Sequence, residues 1–235
     1  MESGVFEKAN FRIVGDCGLL VEYGNAIDPA VNQKVRSMAI VVKDNMPAGV
    51  IEIIPTYRSI LIYYDPSITT PSLLKATLID LESGLSEIKI PPPKVVEIPV
   101  CYGGEYGPDI DHVAQSHNLT PQEVIHLHSE PEYLIYMVGF TPGFPFLGGL
   151  PEILHTPRLK TPRTRVPEGS VGIANGQTGV YPIASPGGWQ LIGKTPISLF
   201  SPERSNPILY QAGDRIRFKP ISPSDYQQIS GMEVK

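Results

Sequence analysis

Between Gly139 and Pro202 the chain carries ten prolines and eleven glycines, interleaved with Phe140, Phe144, Phe146, Tyr181 and the only tryptophan, Trp189. Disordered Pro/Gly tracts are poor in aromatic and β-branched residues, and this one is not. Proline fixes φ and glycine frees it, so their alternation with bulky apolar side chains specifies tight loops on a rigid body. That combination favours short strands between tight turns over a helical bundle for this half of the chain. It also marks the stretch as the place to look for function.

The texture before residue 90 is different. Phe11–Val14 and Leu19–Tyr23 read as strands around Gly15-Asp16-Cys17-Gly18. Asp28-Pro29 is an N-cap followed by a residue pre-set for the first helical turn, and Val31, Val35, Met38, Ala39 and Val42 continue it as one apolar stripe. Val50–Ile54 and Ile60–Tyr64 predict a hairpin. Thr70-Pro71 opens a second helix with Leu73, Leu74, Thr77, Leu78 and Leu81 on one face, ending at Gly84, and Ile88–Ile90 supplies a last strand. This order is that of a split βαβ, so an α+β, ferredoxin-like domain is expected over residues 1–90. Pro91-Pro92-Pro93 is a stiff connector and the expected boundary.

Over residues 91–235 we expect a strand at Val95–Cys101, a helix over Asp109–His117, and a helix opened by the capping box Thr120-Pro121-Gln122-Glu123. Strands then follow at Tyr133–Val138, Ser170–Ile173, Gly179–Pro182, Trp189–Ile192, Ile197–Phe200 and Arg215–Phe218. Such spacing predicts a closed all-β barrel or sandwich.

Several chemical motifs fail on context. Gly188 to Thr195 matches a phosphate-binding P-loop, but its interior is strand-like and Pro196 stands where a helix should begin. A helix-turn-helix reading of Leu119–Val124 lacks any Lys or Arg in its second helix, and a net charge of −5 points away from nucleic acid and anionic membranes. His112, His117, His126 and His128 lack metal-ligand spacing, so they read as surface or capping residues and no metal is expected. Ser185 has no nucleophile-elbow context. Cys17 and Cys101 lie far apart and read as reduced thiols. The N-terminus has no secretory apolar core and no apolar run reaches a membrane span, so a cytoplasmic location is expected.

The motif that survives is His155-Thr156-Pro157-Arg158-Leu159-Lys160-Thr161-Pro162-Arg163-Thr164-Arg165-Val166-Pro167. A solvated basic loop does not need a proline every few residues. A stiffened guanidinium, in contrast, presents a planar fork that matches a carboxylate or phosphate. Arg163 and Arg165 are therefore the candidate anion-binding residues. Gln177, with Thr178, is placed to supply orienting hydrogen bonds in a pocket walled by Phe146 and Trp189.

The segments GFTPGFPFLGGLPE, LHTPRLKTPRTRVPEGSVGIANGQTGVYP and SPGGWQLIGKTP, with GDCGLLVEYG and PTYRSILIYYDP nearer the N-terminus, resemble one family. It contains the B subunit of 5-oxoprolinase, the allophanate hydrolase subunit 1 domain and the histidine-kinase inhibitor KipI. Departures are small: Phe146 where relatives often have Tyr, and Lys194 where Arg is common. The resemblance implies a cyclophilin-like β-barrel for the second domain. It also implies work with the A and C subunits in an ATP-driven opening of 5-oxo-L-proline to L-glutamate, with no cofactor held tightly by this chain. On that footing Arg163, Arg165 and His155 are the expected catalytic contributors and Gln177 a substrate contact. Phe140, Phe146 and Trp189 wall the site or meet the C subunit. A KipI-like partnership with a sensor histidine kinase is the alternative that the family offers. Prolyl isomerase activity would rest on barrel type alone, which is weak evidence of function.

Overall fold

The computed structural model describes residues 4–85 and 92–233. The chain forms two compact units, Met1–Pro92 and Pro93–Lys235.

In the first unit, β1 (Val5–Val14) and β2 (Gly18–Gly24) form an antiparallel hairpin through Gly15, whose φ of +59° suits a residue without Cβ. Helix α1 (Pro29–Asn45) starts where Asp28 accepts from the backbone N–H groups of Ala30 and Val31. A second hairpin, β3 (Val50–Pro55) and β4 (Ser59–Tyr64), precedes α2 (Pro71–Ser83), capped by the Thr70 hydroxyl on the Leu73 N–H. The sheet order is β1-β2-β4-β3. Leu19, Val21 and Tyr23 of β2 and Ile60, Ile62 and Tyr64 of β4 bury one sheet face, together with Val31, Val35, Met38 and Val42 of α1 and Leu74 and Leu78 of α2, whereas Leu73, expected on the same stripe, faces solvent. The position beside β2, where a split βαβ places its last strand, is occupied by β1. The expected strand Ile88–Ile90 lies outside the described residues. The run from β1 begins at Val5, six residues before the expected Phe11, because it is an edge strand whose mixed exposure hides its alternation.

The second unit is mixed α/β. Its strands are β5 (Val95–Tyr102), β6 (Tyr133–Val138), β7 (Pro145–Gly148), β8 (Arg163–Val166), β9 (Ser170–Ala174), β10 (Gln177–Val180), β11 (Ser185–Gly187), β12 (Gln190–Lys194) and β13 (Arg215–Pro220). Helices α3 (Ile110–Ser116) and α4 (Pro121–Ser129) follow β5, and α5 (Pro223–Glu233) follows β13. Seven strands form one sheet in the order β10-β9-β12-β5-β13-β6-β7, and β11 pairs with β8 separately. The pairing of β13 with β5 is parallel. The two end strands lie against each other: a Cβ on Gly179 of β10 would meet the Phe144 ring at 3.2 Å and the Pro145 carbonyl oxygen at 3.3 Å. The sheet is thus nearly closed and barrel-like, around Ile98, Val100, Tyr133, Ile135, Val171 and Phe218.

The expected strand Ile197–Phe200 does not form; Phe200 makes only an isolated bridge to Ile208. Pro196 has no N–H to offer a ladder, the Ile197 N–H goes to the Thr195 hydroxyl, and the Ser198 hydroxyl donates to Phe200 O. Among the described residues no helix is long and apolar enough to cross a membrane.

Candidate functional site

The basic loop is pinned along its length to the turn between β11 and β12. Gln190 Nε2 donates to Pro157 O at 2.9 Å, Leu159 N–H to Gly188 O at 2.7 Å, and Arg163 Nη1 to Trp189 O at 3.1 Å. Gly187 faces Arg163 across the β8–β11 pair. Prolines 157 and 162 preset φ between these anchors, so the loop is rigid for the reason its composition suggests.

Arg163 is already engaged. Its Nη2 donates to both carboxylate oxygens of Asp109 at 2.8 Å, and Asp109 Oδ2 also accepts the Leu191 N–H at 2.6 Å. Asp109, Arg163 and β12 form a latch in which one guanidinium nitrogen, Nη2, holds an internal carboxylate and Nη1 holds the Trp189 carbonyl. Arg165, two residues on in β8, is exposed and has no partner among the described residues; Arg158 and Lys160 are exposed too. The arginines therefore divide into one that braces the loop and others that face solvent.

The aromatic side chains gather on Phe144, which packs edge-on against Phe140, Phe146, Tyr181 and Trp189 at centroid distances of 5.7, 5.1, 5.4 and 5.6 Å. Trp189 is only 6% exposed and belongs to a small core with Val166, Tyr181 and Leu191. It supports the loop from within and does not wall an open pocket. Phe146 is half-buried beside it, whereas Phe140 is 70% exposed. Burial raises the Tyr181 hydroxyl to about 12, against the opposing pull of Arg158 and Arg163.

His155 and Gln177 meet at the β9–β10 turn. Thr156 bridges to Asn175, and the exposed His155 imidazole lies over Gly176, with its Nε2 3.2 Å from Leu150 O. Gln177 opens β10, half-buried. Gly179, two residues on, lies so close to the Phe144 and Trp189 rings that a Cβ there would meet both at 3.2 Å, so β10 links this turn to the aromatic cluster.

A polar chain crosses the barrel interior. His128 is not the expected surface or capping residue: its ring is fully buried and stacks on Phe218 at 4.8 Å. Its Nδ1 lies 2.8 Å from the Tyr102 hydroxyl and its Nε2 2.7 Å from the Thr178 hydroxyl. Thr178 donates its proton to Gly172 O, so it accepts from His128; the imidazole is then the neutral Nε2–H tautomer, and Tyr102 donates to Nδ1. Burial depresses this histidine to about 3 and raises the Tyr102 hydroxyl well above its usual range. The spacing of Val124 and His128, four apart on a capped helix, is the sequence signal that places this side chain on the buried stripe. Asp109 carried no comparable signal, because its partner lies 54 residues away. Among the described residues no group of three or more His, Cys, Asp or Glu side chains is arranged to hold a metal.

Comparison with known proteins places this arrangement. The family described as carboxyltransferase domain, subdomain C and D, matches residues 9–210. The B subunit of a 5-oxoprolinase from Bacillus subtilis is 44% identical over 225 residues, covering 91% of this chain and 93% of that protein. A conserved uncharacterized protein from Pyrococcus horikoshii is 40% identical and superposes with a TM-score of 0.56, covering 92% of this chain and all of that one. The crystal structure of TTHA0988 superposes more closely, with a TM-score of 0.78 and 35% identity over 87% of this chain. This chain spans only 40% of the TTHA0988 chain, so that protein carries further polypeptide beside the shared unit. On residues, fold and extent of match, the chain belongs to the family of 5-oxoprolinase B subunits.

Proposed function

We propose that this chain is the B subunit of a heteromeric, ATP-dependent 5-oxoprolinase that opens 5-oxo-L-proline to L-glutamate with the A and C subunits. The observation that carries the reading is the 44% identity to a 5-oxoprolinase B subunit across nine-tenths of both chains. We read the two units as a ferredoxin-like and a cyclophilin-like domain of a cytoplasmic protein that holds no cofactor tightly and is inactive alone.

The lactam of 5-oxoproline is a stabilised amide with a poor leaving group. Phosphoryl transfer from ATP to its oxygen would activate the ring carbon toward water, and such chemistry needs fixed cations and donors where negative charge develops. In this chain Arg165 is the exposed cation on a braced strand. Arg163 acts through the latch that holds the loop, and His155 with Gln177 supplies polar groups at the neighbouring turn. Phe146 and Trp189 keep the scaffold dry and stiff.

The test is reconstitution. Co-expression with the A and C subunits is expected to give ATP-dependent glutamate from 5-oxoproline, with no activity from this chain alone. Replacing Arg163 and Arg165 together by Ala is expected to lower kcat/KM at least about tenfold, the loss of one charge-assisted contact. Undiminished activity in that double variant refutes the site; absence of activity in the wild-type assembly refutes the function.

A further inference from the structure

We propose that Phe140 is a preformed anchor that inserts into an apolar, phenyl-sized hollow on a partner polypeptide. The partner is the separately encoded counterpart of the region that TTHA0988 carries in one chain beyond the shared unit. The inference rests on the heteromeric reading above and can fail independently of it.

The segment Gly139-Phe140-Thr141-Pro142-Gly143-Phe144 joins β6 to β7. Three backbone hydrogen bonds close it on itself: Gly139 N–H to Phe144 O at 3.0 Å, Thr141 N–H to Gly139 O at 2.8 Å, and Phe144 N–H to Thr141 O at 3.0 Å. From below, the buried Tyr210 hydroxyl donates to Gly143 O at 2.7 Å. The loop is therefore stiff, and its tip does not relax at will.

Two features of that stiff loop are unfavourable for the unit alone. Phe140 has φ +67°, a left-handed conformation that a bulky residue adopts only under constraint. Its ring is nonetheless 70% exposed and gains only an edge contact with Phe144. Next to it, Thr141 Oγ1 is buried without a hydrogen-bond partner among the described residues. Glycine at 140 would remove the strain, and a polar side chain would be hydrated. Strain and exposed apolar surface held together by a braced loop are the mark of a binding element fixed before contact.

The shape chooses the occupant. A protruding phenyl is convex, the shape complementary to a hollow on another surface. An aromatic knob fits a pocket on another protein surface, where such residues dominate affinity. That this unit makes up two fifths of the TTHA0988 chain supplies the neighbour, since relatives of this chain exist covalently beside further polypeptide.

The experiment measures association of the full chain with the same genome's homologue of that further region, by isothermal titration. Phe140→Ala and Phe140→Gly are compared with wild type. Both variants should bind about 10- to 100-fold more weakly. Phe140→Gly should keep or raise the urea midpoint followed by Trp189 fluorescence, because it relieves the left-handed strain. Excess partner should restore kcat in both variants if the assembly is a 5-oxoprolinase. Wild-type affinity in both variants overturns the proposal, and so does failure of the wild-type chain to bind the homologue. Phe140-dependent self-association without it, or collapse of the fold in Phe140→Gly, does the same. A complex that forms through Phe140 but makes no glutamate from ATP and 5-oxoproline once the remaining subunit is added refutes the enzymatic reading and leaves the anchor standing.

Discussion

His128 is neutral in the folded second unit and takes up a proton when that unit unfolds in mild acid. In the fold, burial holds it at about 3, against an ordinary value of 6.5. Between those two values the unfolded chain binds the extra proton, so stability falls as pH falls. The contribution is fully present above pH 6.5 and fades at about 1.4 kcal/mol per pH unit toward pH 3. From pH 7 to pH 5, before most carboxylates titrate, the loss is about 2 kcal/mol. With a urea m-value of about 2 kcal/mol/M, the midpoint should drop by about 1 M. Trp189, the only tryptophan, lies in the same unit, so its fluorescence reports this transition and not that of the first unit. His128→Gln retains an amide donor for Thr178 but does not titrate. It should be less stable at pH 7, having lost the stacking on Phe218, yet show a midpoint nearly flat from pH 7 to 5. Equal pH dependence in wild type and His128→Gln would refute the neutral-tautomer network.

Asp109→Ala should destabilise the second unit by about 2–3 kcal/mol in urea at pH 7, because it strands a partly buried guanidinium and the Leu191 N–H together. A loss below about 0.5 kcal/mol would show that the latch bears no load. Gly179→Ala, whose Cβ would lie 3.2 Å from both the Phe144 and Trp189 rings, should lower stability by about 1–3 kcal/mol and shift Trp189 emission. An unchanged spectrum would contradict the close approach of β10 to the aromatic cluster. Thr120→Ala removes one side of an intact capping box and should cost about 1 kcal/mol, read from the same urea transition.

The helices of this chain were legible because their signals are local. Asp28-Pro29, Thr70-Pro71 and Thr120-Pro121 each put an acceptor and a preset φ on adjacent residues, and each starts a helix one residue later. Strands β7 and β11 were missed because Pro145, Pro186 and the glycines around them read as punctuation, and β8 because Arg163–Val166 reads as part of the basic loop, while the barrel domain uses all three as short paired segments. The stiffness of the basic loop was visible in its prolines. The role of Arg163 was not, because whether a guanidinium meets solvent, substrate or an aspartate depends on which distant residue the fold delivers. Gathering Phe140, Phe144, Phe146 and Trp189 into one cluster needed both the β6–β7 loop and the β11–β12 turn, contacts that no periodicity encodes.

The parallel register that seats Arg215 beside Val95 and Pro220 beside Val100 has a kinetic corollary. The central strand of the larger sheet waits for a neighbour some 120 residues downstream (215 − 95), a span that makes ring closure entropically slow. On the ribosome, β5 emerges long before its mate, leaving a bare apolar ribbon that invites mispairing until synthesis passes residue 220. The first unit waits far less, since its longest-range strand pairing, β2 with β4, seats Val21 beside Ile60, some 39 residues on (60 − 21). Vectorial synthesis should therefore yield a folded leading half tethered to an unfinished barrel, a species open to chaperones and proteases.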